Sequence, residues 1–488
     1  MESNNPNIDA IMERAQAAFA IYRKQTLKQR ADFMRAIAVE LENIRAEIVP
    51  LTMEETHLPE ARLNGELSRT IFQLNDYAAH AEAGSWMDVR INKGQPTADV
   101  NIRKMLVPLG PVVVFGASNF PYAYSTAGGD TACALAAGCP VIVKAHPGHE
   151  KTSARVAEAI GEAARKQQLP EGVFQHVSDS SFAAGKALVT HPLTQAVGFT
   201  GSLTGGKALF DMANQRKTPI PVFAEMGSVN PVVLLPEKIE TETAAVAEQY
   251  AASITQGVGQ FCTNPGLLFG IESTALQQFI DALAAQIKMQ VPQQMLHPGI
   301  ARAYTEKRAL ALEQKGVSTE AVAETDPAAN EGAATLASVS GATFLSNPLL
   351  HQEVFGPYSL IVRCTDQTEL QEALSRMEGQ LTSTIMATEK DARDYAAVIE
   401  AVQQICGRLV MNGVPTGVAV CTAMQHGGPF PSTTDSRFTS VGSDGIRRFA
   451  RPLAYQNFPD ALLPDALKDG NPLGIWRTVN DQLSRDAI

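Results

Sequence analysis

The feature that most constrains this chain is an alternation. Short apolar runs rich in β-branched residues, PVVVFG, PVIVKA, FQHVSD, AVGFTGS and NPVVLL, are separated by segments of helical character, GGDTACALAAG, HEKTSARVAEAIGEAARKQ, SFAAGKALVTH and LTGGKALFDMANQR. Apolar character that is nearly continuous over so few residues suits strands buried on both faces, the condition of a parallel sheet covered by helices. Strand and helix in repeated succession predict a doubly wound α/β domain, whose crevice at the carboxyl ends of the strands takes a dinucleotide. The usual G-x-G-x-x-G of a first turn is missing. The helix that opens after AVGFTGS offers Gly201, Ser202, Gly205 and Gly206 instead, a weaker signal for phosphate held on a helix N-terminus.

A chain of 488 residues with 45% hydrophobic content can bury more than one core, so two large domains and a smaller appendage are expected. Residues from about Ile8 to Ala83 carry apolar positions at three- and four-residue steps and read as an entry layer of helices. The stretch VRINKGQPTADVNIRKM alternates and is rich in turn residues, which predicts a hairpin-like arm suited to pairing with another subunit. A second α/β region begins near Ala252. The polar, small-residue stretch from Gly316 to Ala342 reads as a surface loop or a poorly packed hairpin. Beyond Pro452 aromatics mix with Pro and Gly at no clear period, as in an extended arm lying on a partner or on the chain's own body.

A net charge of −11 gives no footprint for nucleic acid or anionic lipid. With no leader pattern and no apolar run of about eighteen residues, a cytoplasmic protein acting on a small molecule is expected, with no membrane and no nucleic acid as partner. The six cysteines form no C-x-x-C pair and no Cys/His cluster at metal-ligand spacing, so neither disulfides nor a metal site is expected. One of them stands apart. Cys262 lies in GQFCTNPG, on a turn between a small-residue helix and an apolar strand, where a thiolate is reachable and close to backbone N–H groups. Upstream, Glu225 in FAEMGSVNP sits between apolar residues and glycine just before an apolar run, a poor setting for a solvated carboxylate.

FAEMGSVNPVVLLP followed by GQFCTNPG resembles the glutamate and cysteine signatures of the aldehyde dehydrogenase superfamily. VPLGPVVVFGASNFPYAYS resembles its asparagine motif, PVIVKAHPGHEKT its cofactor-lysine motif, GFTGS its phosphate turn and HQEVFGPYSLI its Glu-x-Phe-Gly-Pro motif, in family order from about residue 10 to 460. The resemblance implies an aldehyde dehydrogenase-like α/β fold: a Rossmann-type cofactor domain (1–88 and 109–235), a second α/β catalytic domain (236–450), and bridging or oligomerisation arms (89–108 and 451–488). It implies Cys262 as the nucleophile that forms a thiohemiacetal and then a thioester, Asn119 as the oxyanion donor, and Glu225 as the base that activates water, its apolar neighbours raising its pKa. Lys144, Gly201, Ser202, Glu353 and Phe355 match cofactor contacts for NAD or NADP. Pro147 stands where NAD-preferring members often carry an acid, which favours tolerance of NADP.

Two departures narrow the resemblance: Ser118 before the catalytic asparagine, and the block AMQHGGPFPSTTDSRFTSVGSDGIRRFARPLAYQ near the C-terminus. Both resemble the branch of 2,5-dioxopentanoate dehydrogenases and their NADP-linked long-chain relatives. The leading expectation is oxidation of 2,5-dioxopentanoate to 2-oxoglutarate; an NADP-linked enzyme for aliphatic aldehydes is the alternative, and a non-catalytic homologue the remote one. A cation in the substrate tunnel separates the first two, because an alkyl chain is penalised by it. Alignment of Tyr77 and Ala78 with the family's aromatic-Ala pair puts Arg69 in that tunnel, with Arg62 competing and Phe120 and Phe430 as further substrate-side residues. A homodimer or homotetramer is expected.

Overall fold

A computed structural model describes residues 7–95, 98–179 and 181–488. The expected arm at 89–108 therefore includes two positions, 96 and 97, that lie outside the described residues.

The first body is a five-stranded, wholly parallel sheet in the spatial order Phe174–Val177, Val141–Lys144, Val112–Phe115, Ala196–Thr200, Val222–Glu225. Val112, Val113, Val141, Ile142 and Val143 are fully buried, as their continuous apolar character requires. Numbered along the chain, the strands lie 3-2-1-4-5. The order reverses between Val112–Phe115 and Ala196–Thr200, and ligands of open α/β sheets bind in the crevice beyond the carboxyl ends at such a reversal. The four N-terminal helices, Ile8–Tyr22, Leu27–Asn43, Arg45–Thr56 and Glu60–Ala83, pack into the same core through residues such as Tyr22, Phe33, Ile48 and Leu63.

One expected strand belongs elsewhere. Val232–Leu234, from the run NPVVLL, hydrogen-bonds in a second sheet, and Val222–Glu225 takes the fifth place in the first. Between them Asn230 adopts a left-handed φ of 46° ahead of Pro231 and turns the chain from one body to the other. The change of sheet thus falls before the expected boundary at 235.

The second sheet has seven strands in the order Ser318–Val322, Thr335–Ser340, Tyr358–Cys364, Leu267–Ile271, Val232–Leu234, Gln380–Met386, Cys406–Met411, antiparallel only at the first pair. The stretch expected to be a loop or loose hairpin contains Thr335–Ser340, five of whose six residues are buried. Ala, Ser and Thr there fill tight space between neighbouring strands, and their smallness disguised a core strand as a polar loop.

The chain then returns to the first body, before the expected catalytic boundary at 450. Met226 N–H donates to Ser432 O at 2.8 Å, Thr433 bridges Glu225, and Ser443–Phe449 packs on the helix Gly129–Ala137 with Arg448 and Asp130 ion-paired at 2.7 Å. The two expected arms find each other. Ala450–Gln456, Ala98–Pro108, Arg90–Gln95, Arg477–Val479 and Gln482–Ser484 form one five-stranded sheet, stapled by the buried Arg103, which pairs with Asp469 at 2.7 Å.

Candidate active site

Cys262 is presented by a strained turn. Gly257, Val258 and Gly259 take φ of 55°, 58° and 63° in succession, and a β-branched residue in the left-handed region is costly enough to need fixing by its surroundings. The fixing is visible. A Cβ on Gly259 would lie 2.3 Å from the backbone of Gly356, so only glycine lets this turn touch the Glu-x-Phe-Gly-Pro segment. Asn230 Nδ2 donates to the carbonyls of both Cys262 and Asn264 at 2.9 Å, and Gln380 Oε1 accepts from the N–H groups of Val229 and Asn230 at 2.8 and 3.2 Å. From the first body, Asn119 Nδ2 donates to Gln260 O at 3.0 Å. That bond uses one amide hydrogen of a side chain that lines the same cavity as Cys262.

Glu225 ends the last strand of the first sheet and is 3% exposed. Ser440 Oγ donates to its Oε2 at 2.5 Å, and His426 Nε2 lies 2.9 Å from its Oε1 and 3.6 Å from Cys262 Sγ. The ligating atoms of Glu225, Cys262 and His426 all lie within 4.8 Å of one another. Burial by itself would push Glu225 up, but His426, Ser440 and the Cys262 thiol together outweigh it and hold the carboxyl below its usual range. The expected rise in its pKa is therefore reversed. Burial, followed by the neighbouring Glu225 carboxylate, drives the Cys262 thiol well above its ordinary value, while Arg69 works weakly the other way. The resting pair is thus a thiol facing a carboxylate. His426 and Ser440 come from the returning segment and were not picked out in the sequence, although the departing block AMQHGGPFPSTTDSRFTS contains both.

Beside the cysteine opens a cavity of about 450 Å³ at the sheet's order reversal. Its wall includes Gly116, Asn119, Gly201, Ser202, Cys262, Glu353 and Phe355. Ser202 caps the helix Leu203–Asn214 by accepting from Gly205 N–H at 3.2 Å, so this wall offers N–H groups and the positive end of a helix. Glu353 packs so closely on the chain that a Cβ at Gly227 would be 2.6 Å from its Oε2. Burial pushes its carboxyl up to about 7, against the pull of Lys307. Lys144 ends its strand as expected but is not part of this wall; it is nearly buried, its stem lying 3.7 Å from where a Cβ of Gly185 would be. His146 and His297, from the two bodies, line the cavity with ring centroids 6.1 Å apart. Among the described residues the carboxylates on the wall are Glu225 and Glu353. A helix end for a pyrophosphate, a carboxylate for ribose hydroxyls and a reach to the nucleophile make a donor set that fits a nicotinamide dinucleotide.

Away from this cavity stands an aromatic and cationic cluster. Phe120 meets Tyr124 and Phe261 edge-on at 5.2 and 5.6 Å. Arg69 lies over Tyr124 at 5.1 Å and donates to Tyr124 Oη and Val418 O, both at 3.1 Å. Arg62 lies over Phe120 and Phe261 at 5.1 and 4.9 Å and donates to Asn119 O at 2.7 Å. Among the described residues Phe430 makes no ring contact with this cluster. It precedes a cis peptide bond to Pro431 and is 57% exposed, with its carbonyl accepting from Gly379 N–H at 3.1 Å.

Residues 1–451 match the model of the aldehyde dehydrogenase family. The chain belongs to the aldehyde dehydrogenase family. It is 44% identical over 484 residues to an alpha-ketoglutaric semialdehyde dehydrogenase of Acinetobacter baylyi, covering 98% of this chain and 92% of that one. To alpha-ketoglutaric semialdehyde dehydrogenase 2 of Azospirillum brasilense it is 46% identical, covering 96% and 90%. Among solved structures the fold is shared with apo betaine aldehyde dehydrogenase from Staphylococcus aureus at a TM-score of 0.79 and 17% identity, over 92% of this chain and 87% of that one. It is shared too with a 1-pyrroline-5-carboxylate dehydrogenase at 0.76 and 19%, over 92% and 85%.

Proposed function

We propose that this aldehyde dehydrogenase oxidises 2,5-dioxopentanoate to 2-oxoglutarate with NAD or NADP. The observation that carries the substrate is the pair Arg62 and Arg69, two largely buried guanidinium groups beside the nucleophile with no carboxylate within ion-pair distance among the described residues. A buried cation is costly unless an anion meets it, and the charge of Glu66 acts on both arginines without forming an ion pair with either. A substrate carboxylate meets Arg69, and an alkyl chain would not. The names of two relatives at 44% and 46% identity agree with this choice.

Cys262 adds to the aldehyde carbon once its proton has passed to Glu225, which His426 flanks. The second amide hydrogen of Asn119 and the Cys262 N–H face the oxygen that becomes negative, where fixed donors act most strongly. A bound nicotinamide dinucleotide supplies the hydride acceptor. Glu225 passes that proton to solvent and, ionised again, takes one from the water that attacks the Cys262 thioester, releasing the carboxylate product and the Cys262 thiolate. Ser202, Gly201, Glu353 and Phe355 would hold the cofactor, and Lys144, at the carboxyl end of its strand, would reach the adenosine ribose. Pro147 and the neutral His146 put no negative charge there, which supports acceptance of a 2′-phosphate. A homodimer or homotetramer is built through the arm sheet, whose outer strand exposes Leu483, and the unpaired cysteines suit a cytoplasmic setting. The test is an aldehyde panel with both cofactors, read as kcat/KM: preference for pentanal or longer neutral aldehydes over 2,5-dioxopentanoate refutes the proposed substrate.

A further inference from the structure

Arg62 and Arg69 are not equivalent. They share one face of the helix Glu60–Ala83, about two turns apart, but Arg69 Nη2 is already shared between Tyr124 Oη and Val418 O. Arg62 gives only Nη2, to Asn119 O, and its Nη1 is buried with no acceptor. The acid closest in charge, Glu66, does not relieve it. Glu66 Oε1 is taken by the N–H groups of Tyr122 and Ala123 at 2.8 and 3.0 Å, its Oε2 is buried without a hydrogen-bond partner among the described residues, and burial raises its pKa against the pull of the Arg62 charge, with no ion pair formed between them. A buried N–H left without an acceptor is destabilising, and this one is held by Phe120 and Phe261, the neighbours in sequence of Asn119 and Cys262.

One carboxylate satisfies one guanidinium in two-point fashion. Two cations facing a single monocarboxylate leave donors over, and a carbonyl oxygen adjacent to the carboxylate supplies the missing acceptor. Resting on the oxo-acid reading above, we propose that Arg62 is a second specificity residue, whose Nη1 completes a two-arginine site for an α-oxo acid head. The enzyme thereby separates an α-oxo acid semialdehyde from a plain ω-oxo acid of the same chain length.

The experiment compares kcat/KM for 2,5-dioxopentanoate, 5-oxopentanoate and pentanal in the wild-type enzyme and in Arg62→Gln and Arg62→Met. Gln keeps a donor for Asn119 O, and Met keeps only the packing against the rings. The ratio of 2,5-dioxopentanoate to 5-oxopentanoate is expected to fall by about ten- to a hundredfold in both variants. If all three substrates fall together, Arg62 braces Asn119 and the proposal is overturned. If the ratio holds in both variants while 5-oxopentanoate still outruns pentanal, Arg62 is again excluded and the oxo-acid reading survives. If wild type does not prefer 5-oxopentanoate to pentanal, it is the oxo-acid reading that fails. The wild-type enzyme alone provides a check should the variants not fold: 2-oxoglutarate must protect Cys262 from iodoacetamide at lower concentration than glutarate, and equal protection sinks the proposal.

Discussion

The two sides of Cys262 solve recognition by opposite means. On the side proposed for the cofactor the wall is largely backbone, glycine and helix end, with Gly116, Gly201, Gly205 and Gly227 and the carboxylates of Glu225 and Glu353. On the side proposed for the substrate it is side chain: Phe120, Tyr124 and Phe261, with Arg62 and Arg69 laid over them. A wall of backbone donors suits a cofactor common to many enzymes, since its geometry follows from a helix start and a strand end rather than from residue choice. A wall of long side chains can be rewritten by single substitutions. Specificity among family members should therefore vary on the arginine side and chemistry should not.

The comparison breaks first if one substitution harms both sides. Cys262→Ala is expected to lower turnover by at least about a thousandfold while the cofactor still quenches or enhances fluorescence at unchanged affinity; loss of cofactor binding would show that the turn Gly257–Gly259 collapses without the thiol. Glu225→Gln comes next, with steady-state turnover reduced by about a hundredfold or more. Because the carboxylate faces the thiol as well as the water position, the burst of reduced cofactor should persist in amplitude but slow in rate. An unchanged burst rate would hand thiol deprotonation to His426, 3.6 Å from Sγ. Arg69→Ala is the smaller effect: the ratio of kcat/KM for 5-oxopentanoate over pentanal should drop by about ten- to a hundredfold, and a uniform fall would make Arg69 a scaffold residue for Tyr124.

Both walls were legible in the sequence to different depths. The strand runs and the turn around Cys262 carried their own signals, apolar continuity and a nucleophile turn, and Cys262, Glu225 and Asn119 do converge. What stayed hidden depended on the returning segment. Whether Val232–Leu234 joined the first or second sheet could not be told from an apolar run that suits either, and Thr335–Ser340 was masked by small polar residues whose burial only neighbouring strands reveal. The pKa of Glu225 was read in the wrong direction because apolar flanks were visible locally, while His426 and Ser440 arrive from far along the chain and reverse their effect. Asn230 was in plain view in FAEMGSVNP, but its role as a brace for the cysteine turn needs the fold.

The smallest expected effect sharpens the cofactor side alone. Glu353 has its carboxyl raised to about 7 by burial, against the lowering pull of Lys307 and of a backbone hydrogen bond from Ser228. Its charged form accepts hydrogen bonds from ribose hydroxyls better than its protonated form, so cofactor binding must favour ionisation. The sign follows: below the raised pKa the group carries a proton that binding has to expel, and above it nothing opposes. The cofactor KM should accordingly fall as pH rises through about 7, and be roughly tenfold higher at about pH 6 than at about pH 8 if only the carboxylate binds. Below the pKa, proton release should accompany binding, measurable in buffers of different ionisation enthalpy. Glu353→Gln removes the titration, leaving a KM that is higher at alkaline pH and flat across the range. A wild-type KM that stays flat, or one whose slope survives in Glu353→Gln, would move the titration to another group on the wall, with His297 the first to examine.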